Sequence, residues 1–529
     1  MVLSQLYDIC QDVVIHKRHY WMALSACWGG MLFGWDTGLI GGILARKSFK
    51  RSFGLDVDPS AYADLSGWVV SVLQAGCFFG AMSAAFFGER FGRKPSIMIA
   101  AFFFHLGSVL QTSAASNGQS HQTALDMLYV GRAIGGFGVG LVSCIVPTYI
   151  SESAPKHIRG RLTGMYQLSI VVGIALSFWI NYAFLLHYGD ASVNPLQWRI
   201  PFALQMLPGV LLVVTMAFEK ESPRWLAERG RWEESRKVIA RLYGVAPEEE
   251  RVIEQADAIR ADLETHVRLS FKQQVREITS SKKTFYRASL PFIFMFWQQW
   301  TGVNSMNYYS PVIFQELGLT GSSASLLGTG IYGIVKVVAT AIVLSLGIEQ
   351  FGRKALLFWG GLGQAIPMFY IAGYRQIREN SDKVDGASYV AIVMIYLYVT
   401  FYSFGWSAVP WPAMSESVPN HLRSLTMAVG LMSNWGFNFM ISKLTPIMLN
   451  NIKWGTYLLF GCTTLCAVAW TVFFYPETGG YAIEDIHTIF DGPLVSRSLK
   501  DCKYLLKPYG AQADSQVYAY DDSKNPSKA

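Results

Sequence analysis

Charge is what this sequence has least of. Only 15% of its 529 residues are Asp, Glu, Lys or Arg, where a soluble domain carries roughly 25%, while 51% are hydrophobic and 14% aromatic. The charge is also unevenly spread: Glu219 to Arg287 holds 15 Lys/Arg and 13 Asp/Glu, 28 of the chain's 81. What remains is too apolar to be wrapped in water. A soluble enzyme, a disordered scaffold and a nucleic-acid binder are poor readings of such a chain, and the net charge of +7 reads as a property of inward-facing loops. Asn-x-Ser/Thr is missing, which speaks against a glycosylated ectodomain. A nucleophile elbow, a phosphate loop, a metal-binding helix and a histidine cluster are missing too, so neither an enzyme nor a cofactor is expected. Cysteines number seven, an odd count. Cys27, Cys77, Cys144, Cys462 and Cys466 lie in apolar runs, Cys10 and Cys502 in the tails. Cys462 and Cys466 share a helix face without an adjoining His or acid, so they read as small core residues and no metal is expected. The first apolar run begins near Tyr20, contains charge and lacks a small-residue cleavage site, which fits a retained helix rather than a signal peptide.

Long apolar runs are abundant. A membrane crossing takes about 20 mostly apolar residues, and twelve segments qualify: roughly 20–43, 66–87, 95–114, 127–150, 163–185, 200–218, 289–314, 325–347, 355–374, 388–413, 425–449 and 454–475. The charged stretch divides them six and six. This gives a 1–19 tail, a 20–218 bundle, a 219–288 linker of short amphipathic helices, a 289–475 bundle and a 476–529 tail. Connections holding Arg90, Arg93 and Lys94, then Lys156, Arg159 and Arg161, then Arg353 and Lys354 fall on one side, which puts both termini in the cytoplasm. Segment 44–65 disagrees, carrying Arg46, Lys47, Lys50 and Arg51 on the outer side. The halves repeat. Phe91-Gly-Arg-Lys94 returns as Phe351-Gly-Arg-Lys354, Ser151-Glu-Ser-Ala-Pro-Lys-His-Ile-Arg159 as Ser415-Glu-Ser-Val-Pro-Asn-His-Leu-Arg423, and Glu221-Ser-Pro resembles Glu477-Thr-Gly. The expected fold is an all-α membrane protein of twelve transmembrane helices in two pseudo-symmetric six-helix bundles. That is the plan of a rocking transporter with its solute near the midplane.

The repeated loops carry acids as well as bases. Glu89, Arg90, Arg93 and Lys94 at one turn, with Glu152 and Arg159 at another, can pair across the inner face of one half; Glu349, Arg353, Glu416 and Arg423 can do so in the other. Such pairs would gate the inner side, and repetition of the acids favours that over charges that only set topology.

Three ionisable residues fall within spans, where each costs a few kcal/mol by insertion scales: Asp36, Arg132 and Lys336. Asp36 and Arg132 lie at similar depth, so the carboxylate can exchange a proton as water access changes; a static ion pair is the alternative. Lys336 could meet an anionic solute, pair with an acid or reach into an aqueous cavity. Gln298, Gln299, Thr301, Asn304 and Asn307 surround Gly302, Asn434 and Asn438 share a helix face, and Gln167 sits in the fifth span. Carboxamides donate and accept without charge, which suits a solute covered in hydroxyls; interhelical bonding is the rival for any one of them. Trp406 and Trp411, with Gly405, Pro410 and Pro412, make the tenth span breakable and aromatic, either as a stacking surface or as core.

With these residues in view the chain resembles the sugar porter family of the major facilitator superfamily, from about Trp21 to Thr478. The motifs are Gly131-Arg132, Arg90-Phe-Gly-Arg93, Glu221-Ser-Pro-Arg-Trp225, Gln298-Gln-Trp-Thr-Gly-Val-Asn304 and Pro476-Glu-Thr-Gly479. The resemblance implies that Gln167, Gln298, Gln299, Asn304, Trp411 and Asn434 contact the solute with Asn438 close by, that Asp36 carries a proton and that Arg132 modulates it. Two departures bear on the solute: Lys336 stands where sugar-binding members usually carry asparagine, and Ser403 where many carry an acid. Both favour a carboxylate, and Gly-Ile-Val-Lys is similar to quinate-permease-like fungal members. The expected function is proton-coupled import of a monosaccharide such as a hexose or pentose. A quinate or sugar-acid permease is the alternative, and a non-transporting sugar sensor is disfavoured by a short tail after Thr478 that ends in polar residues and is expected to be disordered. The partners expected are a small polyhydroxylated solute, a proton and the lipid bilayer, with the chain acting as a monomer in the plasma membrane.

Overall fold

Every long apolar run becomes helix, because a backbone crossing lipid has no water to satisfy its N–H and C=O groups and must bond to itself. The structure, a computed structural model, describes residues 14–116, 118–155, 157–265, 270–319, 321–346, 351–378, 385–479, 489–490 and 493–505. Cys10, Lys156, Glu349 and most of both tails lie outside the described residues. In chain order the long helices are α1 (Lys17–Leu44), α2 (Pro59–Arg90), α3 (Arg93–Ser113), α4 (His121–Ser153), α5 (Arg159–Tyr188) and α6 (Leu196–Phe218). α7 runs as Lys282–Trp300 and, after a break, Val303–Glu316; α8 (Ser322–Leu346), α9 (Arg353–Ile377), α10 (Gly386–Ser417), α11 (Arg423–Asn451) and α12 (Gly455–Phe474) follow. No strand occurs among the described residues. Within that set nine helices pass for spans on length and composition alone. α1, α7 and α11 do not, and these three carry Asp36, the cluster of amides around Gly302 and the paired asparagines. The shortfall therefore marks where polar side chains are placed in a span.

Local chemistry explains the ends and breaks. The Asp58 carboxylate caps α2 on Ala61 N (3.2 Å) with Pro59 in first position, and Ser120 caps α4 on Thr123 N (3.2 Å). Both helices thus begin well before their apolar runs. α7 breaks at Gly302, whose φ of +87° suits glycine and whose Cβ, if present, would lie 2.7 Å from Phe460 Cγ. α10 contains a π-helical turn over Ser403–Ser407 and resumes at Pro410. Small residues let backbones meet: a Cβ on Gly34 of α1 would run into the Ile170 carbonyl of α5.

Two compact units form. The first contains Met1–Arg268, Asn304–Val337 and Leu431–Lys453; the second contains Leu269–Val303, Val338–Gly430 and Trp454–Ala529. Leu32, Leu73, Cys77, Val139 and Trp435 build a core in the first, and Leu290, Phe294, Leu357, Trp406 and Tyr475 build one in the second. In the first unit the linker helices Trp232–Tyr243 and Glu250–Thr265 bury Ile239, Ala240 and Val252 together.

Three expectations change, and one segment gains detail. Cys462 and Cys466 are exposed on α12 rather than in the core, because the buried face of that helix is taken by Tyr457, Phe460, Gly461 and Thr464. Residues after Thr478 are not uniformly structureless: Leu494–Lys500 is helical and continues as a 3-10 turn, Asp501–Leu505. In the basic segment after α1 two of the four cations are tied down. Arg46 is buried and donates to the Asn181 carbonyl, and Lys50 lies 4.3 Å over the Tyr62 ring. Finally, a histidine cluster does exist: His16 and His157 meet at 3.0 Å between their Nε2 atoms, and the His19 ring lies 5.4 Å from that of His16. A separation of 141 positions between His16 and His157 hid it.

Candidate functional site

In the first unit α1 and α4 bring Asp36 and Arg132 together, with Arg132 Nη1 3.7 Å from Asp36 Oδ1 and both side chains 1% exposed. The pair is loose. Neither carboxylate oxygen has a hydrogen bond, and Arg132 reaches the Val70 carbonyl of α2 at 3.5 Å through Nη2. A buried carboxylate held by proximity alone is cheap to protonate compared with one held by a guanidinium fork.

Beyond the α7 break, the same unit holds a polar ladder. Lys336 Nζ donates to Asn307 Oδ1 (3.0 Å), Tyr332 OH donates to the same oxygen (3.2 Å), and Asn307 Nδ2 donates to Asn304 Oδ1 (3.1 Å). Lys336 is 4% exposed. A buried cation is costly unless something compensates it, and the Asn307 amide oxygen is one group that does so. Asn438 of α11 sits beside Tyr308 (3.3 Å from Nδ2 to the hydroxyl), and Asn434, one turn earlier, is buried on the same face. Gln167 is half-buried on α5.

In the second unit Gln298 and Gln299 are buried at the end of the first α7 segment. Gln298 Nε2 donates to the Trp406 carbonyl (2.8 Å) in the π-helical turn, and Tyr398 OH donates to the Thr301 carbonyl (2.8 Å). The widened turn of α10 thus supplies an acceptor to the amide motif. Trp406 is wholly buried and donates to the Leu357 carbonyl (3.2 Å). It is core and offers no stacking face. Trp411 is half-buried against the same cluster. Ser403 Oγ turns back to the Val399 carbonyl (2.9 Å).

The residues expected to gate separate into two groups. Arg93 grips Glu152 with two nitrogens, Nη2 to Oε1 at 2.6 Å and Nε to Oε2 at 2.9 Å, while Arg353 Nη2 donates to Glu416 Oε1 at 2.9 Å. Glu89 enters only through its carbonyl, which accepts from Trp225 Nε1 (3.3 Å). Arg159 donates to the Ala154 carbonyl (3.4 Å), and Arg423 opens α11 half-buried. The sequence reading missed the residues that complete the clusters. Glu221 Oε1 accepts from Arg93 N (2.9 Å), and Ser222 Oγ donates to Glu152 (2.6 Å). Glu477 repeats this on Arg353 N and Lys354 N (2.9 Å each), and Thr478 Oγ1 on Glu416 (3.2 Å). The repetition of Glu221-Ser and Glu477-Thr was the available signal. Burial pushes the Glu221 and Glu477 carboxyls above the ordinary range, against the backbone N–H groups and arginines that pull them down. Among the described residues no three His, Cys, Asp or Glu side chains are placed to hold a metal ion.

Comparison with known proteins agrees with this architecture. The chain is 38% identical over 495 residues to a "Probable quinate permease" of Aspergillus niger, covering 92% of this chain and 90% of that one. It is 36% identical over 489 residues to a "Quinate permease" of Emericella nidulans, with 90% and 89% covered. Among solved structures it is similar to the proton:xylose symporter XylE bound to 6-bromo-6-deoxy-D-glucose, at a TM-score of 0.73 and 28% identity over 90% of this chain and all of that one. It is also similar to a partially occluded inward-open form of the xylose transporter XylE from E. coli, with a TM-score of 0.71, 28% identity and 87% of this chain covered. Residues 22–490 match the family model described as sugar (and other) transporter, and the chain therefore belongs to that family, as a sugar porter of the major facilitator superfamily.

Proposed function

We propose that this chain imports a cyclic polyhydroxy acid of the quinate type together with a proton. The observation that carries the reading is Lys336, a cation buried on α8 beside the amides of α7 and bonded to Asn307. A solute carboxylate compensates that charge, while Asn304, Asn434 and Asn438 suit hydroxyls. The relatives named as quinate permeases support the same choice. Gln167, Gln298, Gln299 and Trp411 enter as solute contacts on family resemblance. Asp36 carries the proton and Arg132 responds to it; the loose 3.7 Å contact supports this assignment. The Arg93–Glu152 and Arg353–Glu416 clusters serve as inner gates. The protein works as a monomer in the plasma membrane with its termini in the cytoplasm.

The test is uptake into proteoliposomes of labelled quinate, galacturonate, glucose and xylose, with and without an inward proton gradient. Gradient-driven accumulation of quinate or galacturonate is the expected result. Lys336→Asn then costs about 1.5–3 kcal/mol of acid binding, roughly ten- to a hundred-fold in affinity. The second reading is a monosaccharide symporter, which the likeness to a xylose symporter favours. Accumulation of glucose or xylose alone would establish it and make Lys336 a structural cation.

A further inference from the structure

Gln74 has no place in the reading above, yet it stands between the charged pair and the α7–α11 polar side chains. It lies on α2, wholly buried, one turn from Val70 and Ser71. With its amide oxygen facing the Tyr308 hydroxyl (2.8 Å), its nitrogen donates to the Val70 carbonyl (2.5 Å) and the Ser71 carbonyl (3.0 Å). In the opposite orientation the nitrogen donates to Tyr308 instead (2.8 Å), and the oxygen faces those two carbonyls. The Val70 carbonyl is the one that Arg132 reaches. At the far side Asn438 Nδ2 lies 3.3 Å from the same Tyr308 hydroxyl. The donors therefore run in one direction. Asn438 donates to Tyr308, Tyr308 to Gln74 and Gln74 to Val70, where Arg132 donates from the other side.

We propose that Gln74 is a positioning residue that transmits the state of the Asp36–Arg132 pair to Asn438, and so couples proton binding to solute binding. This rests on the proton-coupled reading above. Protonation of Asp36 releases Arg132 toward the Val70 carbonyl, where it competes with the Gln74 amide. The arriving guanidinium is a donor, so the Gln74 amide can turn its oxygen toward it and its nitrogen toward Tyr308, which lies 2.8 Å away. Tyr308 then accepts from Gln74 and donates to Asn438 Oδ1, at 3.4 Å in the structure. The hydrogen-bond polarity at Asn438 reverses, and with it what that residue presents to a hydroxyl. The ionisable groups around Asp36 are few: Arg132 from α4, the Cys77 thiol from α2 and the Tyr308 hydroxyl from α7. α5 meets α1 near Gly34 and Gly38 through Ile170, Ile174 and Ser177, which do not titrate. Gln74 and Tyr308 thus link this group to Asn438.

The experiment uses the purified full chain in liposomes, with labelled quinate and labelled glucose as probes. For whichever probe the wild type accumulates, affinity is measured in acid and alkaline buffer, alongside gradient-driven uptake and solute exchange at equal pH. Coupling free energies of about 1–3 kcal/mol correspond to a 5–150-fold dependence of affinity on pH in the wild type. Gln74→Leu is expected to abolish that dependence and the accumulation while exchange continues. Tyr308→Phe, which keeps the ring and removes the hydroxyl, is expected to lose the dependence too. Gln74→Met replaces Gln74→Leu should the latter not fold. A wild-type pH dependence in these variants overturns the proposal, and loss of exchange together with accumulation overturns it as well, since Gln74 would then only support the fold. Asp36→Asn separates the premise: if that variant still accumulates solute, the proton-coupled reading fails first.

Discussion

The two repeated charge clusters share a plan and differ in what holds them. In the first unit Arg93 forks onto Glu152 and also donates to the Gly88 carbonyl (2.9 Å), while Lys94 is partly exposed and reaches the Ala217 and Glu219 carbonyls. In the second, Arg353 makes a single charged contact to Glu416, and its buried Nε has no hydrogen-bond partner. Lys354 takes over. It is wholly buried, with Nζ on the carbonyls of Val472 (3.0 Å), Tyr475 (3.0 Å) and Ser498 (2.5 Å) and on Ser498 Oγ (2.6 Å). Asp501 adds a cap on Glu477 N (3.1 Å). The repeated motif thus sets which residues gather, and the flanking chain decides which of them is buried. Residues 493–505 close the second cluster from a stretch that carries no part of the repeat.

That comparison can be broken at several points, in descending order of effect. Lys354→Met removes a buried donor shared by three carbonyls and loosens the helix at Ser498, and is expected to cost about 3 kcal/mol or more. Lys94→Met should cost roughly 1 kcal/mol, and thermal unfolding in detergent compares the two. Equal losses would mean that the tail adds nothing. Arg93→Lys removes a fork that lysine cannot reproduce, with an expected loss of about 1–2 kcal/mol, whereas Arg353→Lys keeps a single contact and should stay within about 1 kcal/mol. Ser498→Ala removes one acceptor from Lys354 and should cost about 1 kcal/mol; protease sensitivity of the tail reports it independently.

The smallest effect is on pH dependence. Glu221 and Glu477 both titrate above the ordinary carboxylate range when folded. Each then contributes stability that is full below the unfolded carboxylate pKa and is lost as pH rises through the folded one. Glu477 is the more deeply buried of the two. Glu477→Gln should flatten the decline between the unfolded and folded carboxylate pKa more than Glu221→Gln does, as measured by unfolding across a pH series. The opposite ranking would mean that the backbone N–H groups outweigh burial at Glu477.

How much of this was legible in the sequence depends on the range of the contact. Helix positions, the basic and acidic members of the repeated clusters and the Asp36–Arg132 pair all follow from apolar runs, a repeated motif and matched depth. Trp406 shows the limit. Its tryptophan, glycine and prolines announce a breakable aromatic helix, but a π-helical turn rotates the ring into the core, and rotation about a helix axis leaves no trace in composition. The histidine trio and the tail on Lys354 were equally hidden, since each joins segments more than a hundred residues apart.

By itself, then, the sequence determined that the chain is all helix and built for lipid, because apolar runs of that length leave the backbone no other way to satisfy its hydrogen bonds. It also determined that the charge clusters come as a repeated pair. Only the tertiary structure decided that Lys336 is held by Asn307, that Gln74 lies between Arg132 and Tyr308, and that a tail serine completes one cluster but not the other. Those contacts depend on which face each helix turns to its neighbours, and that is fixed by packing between segments distant in the chain.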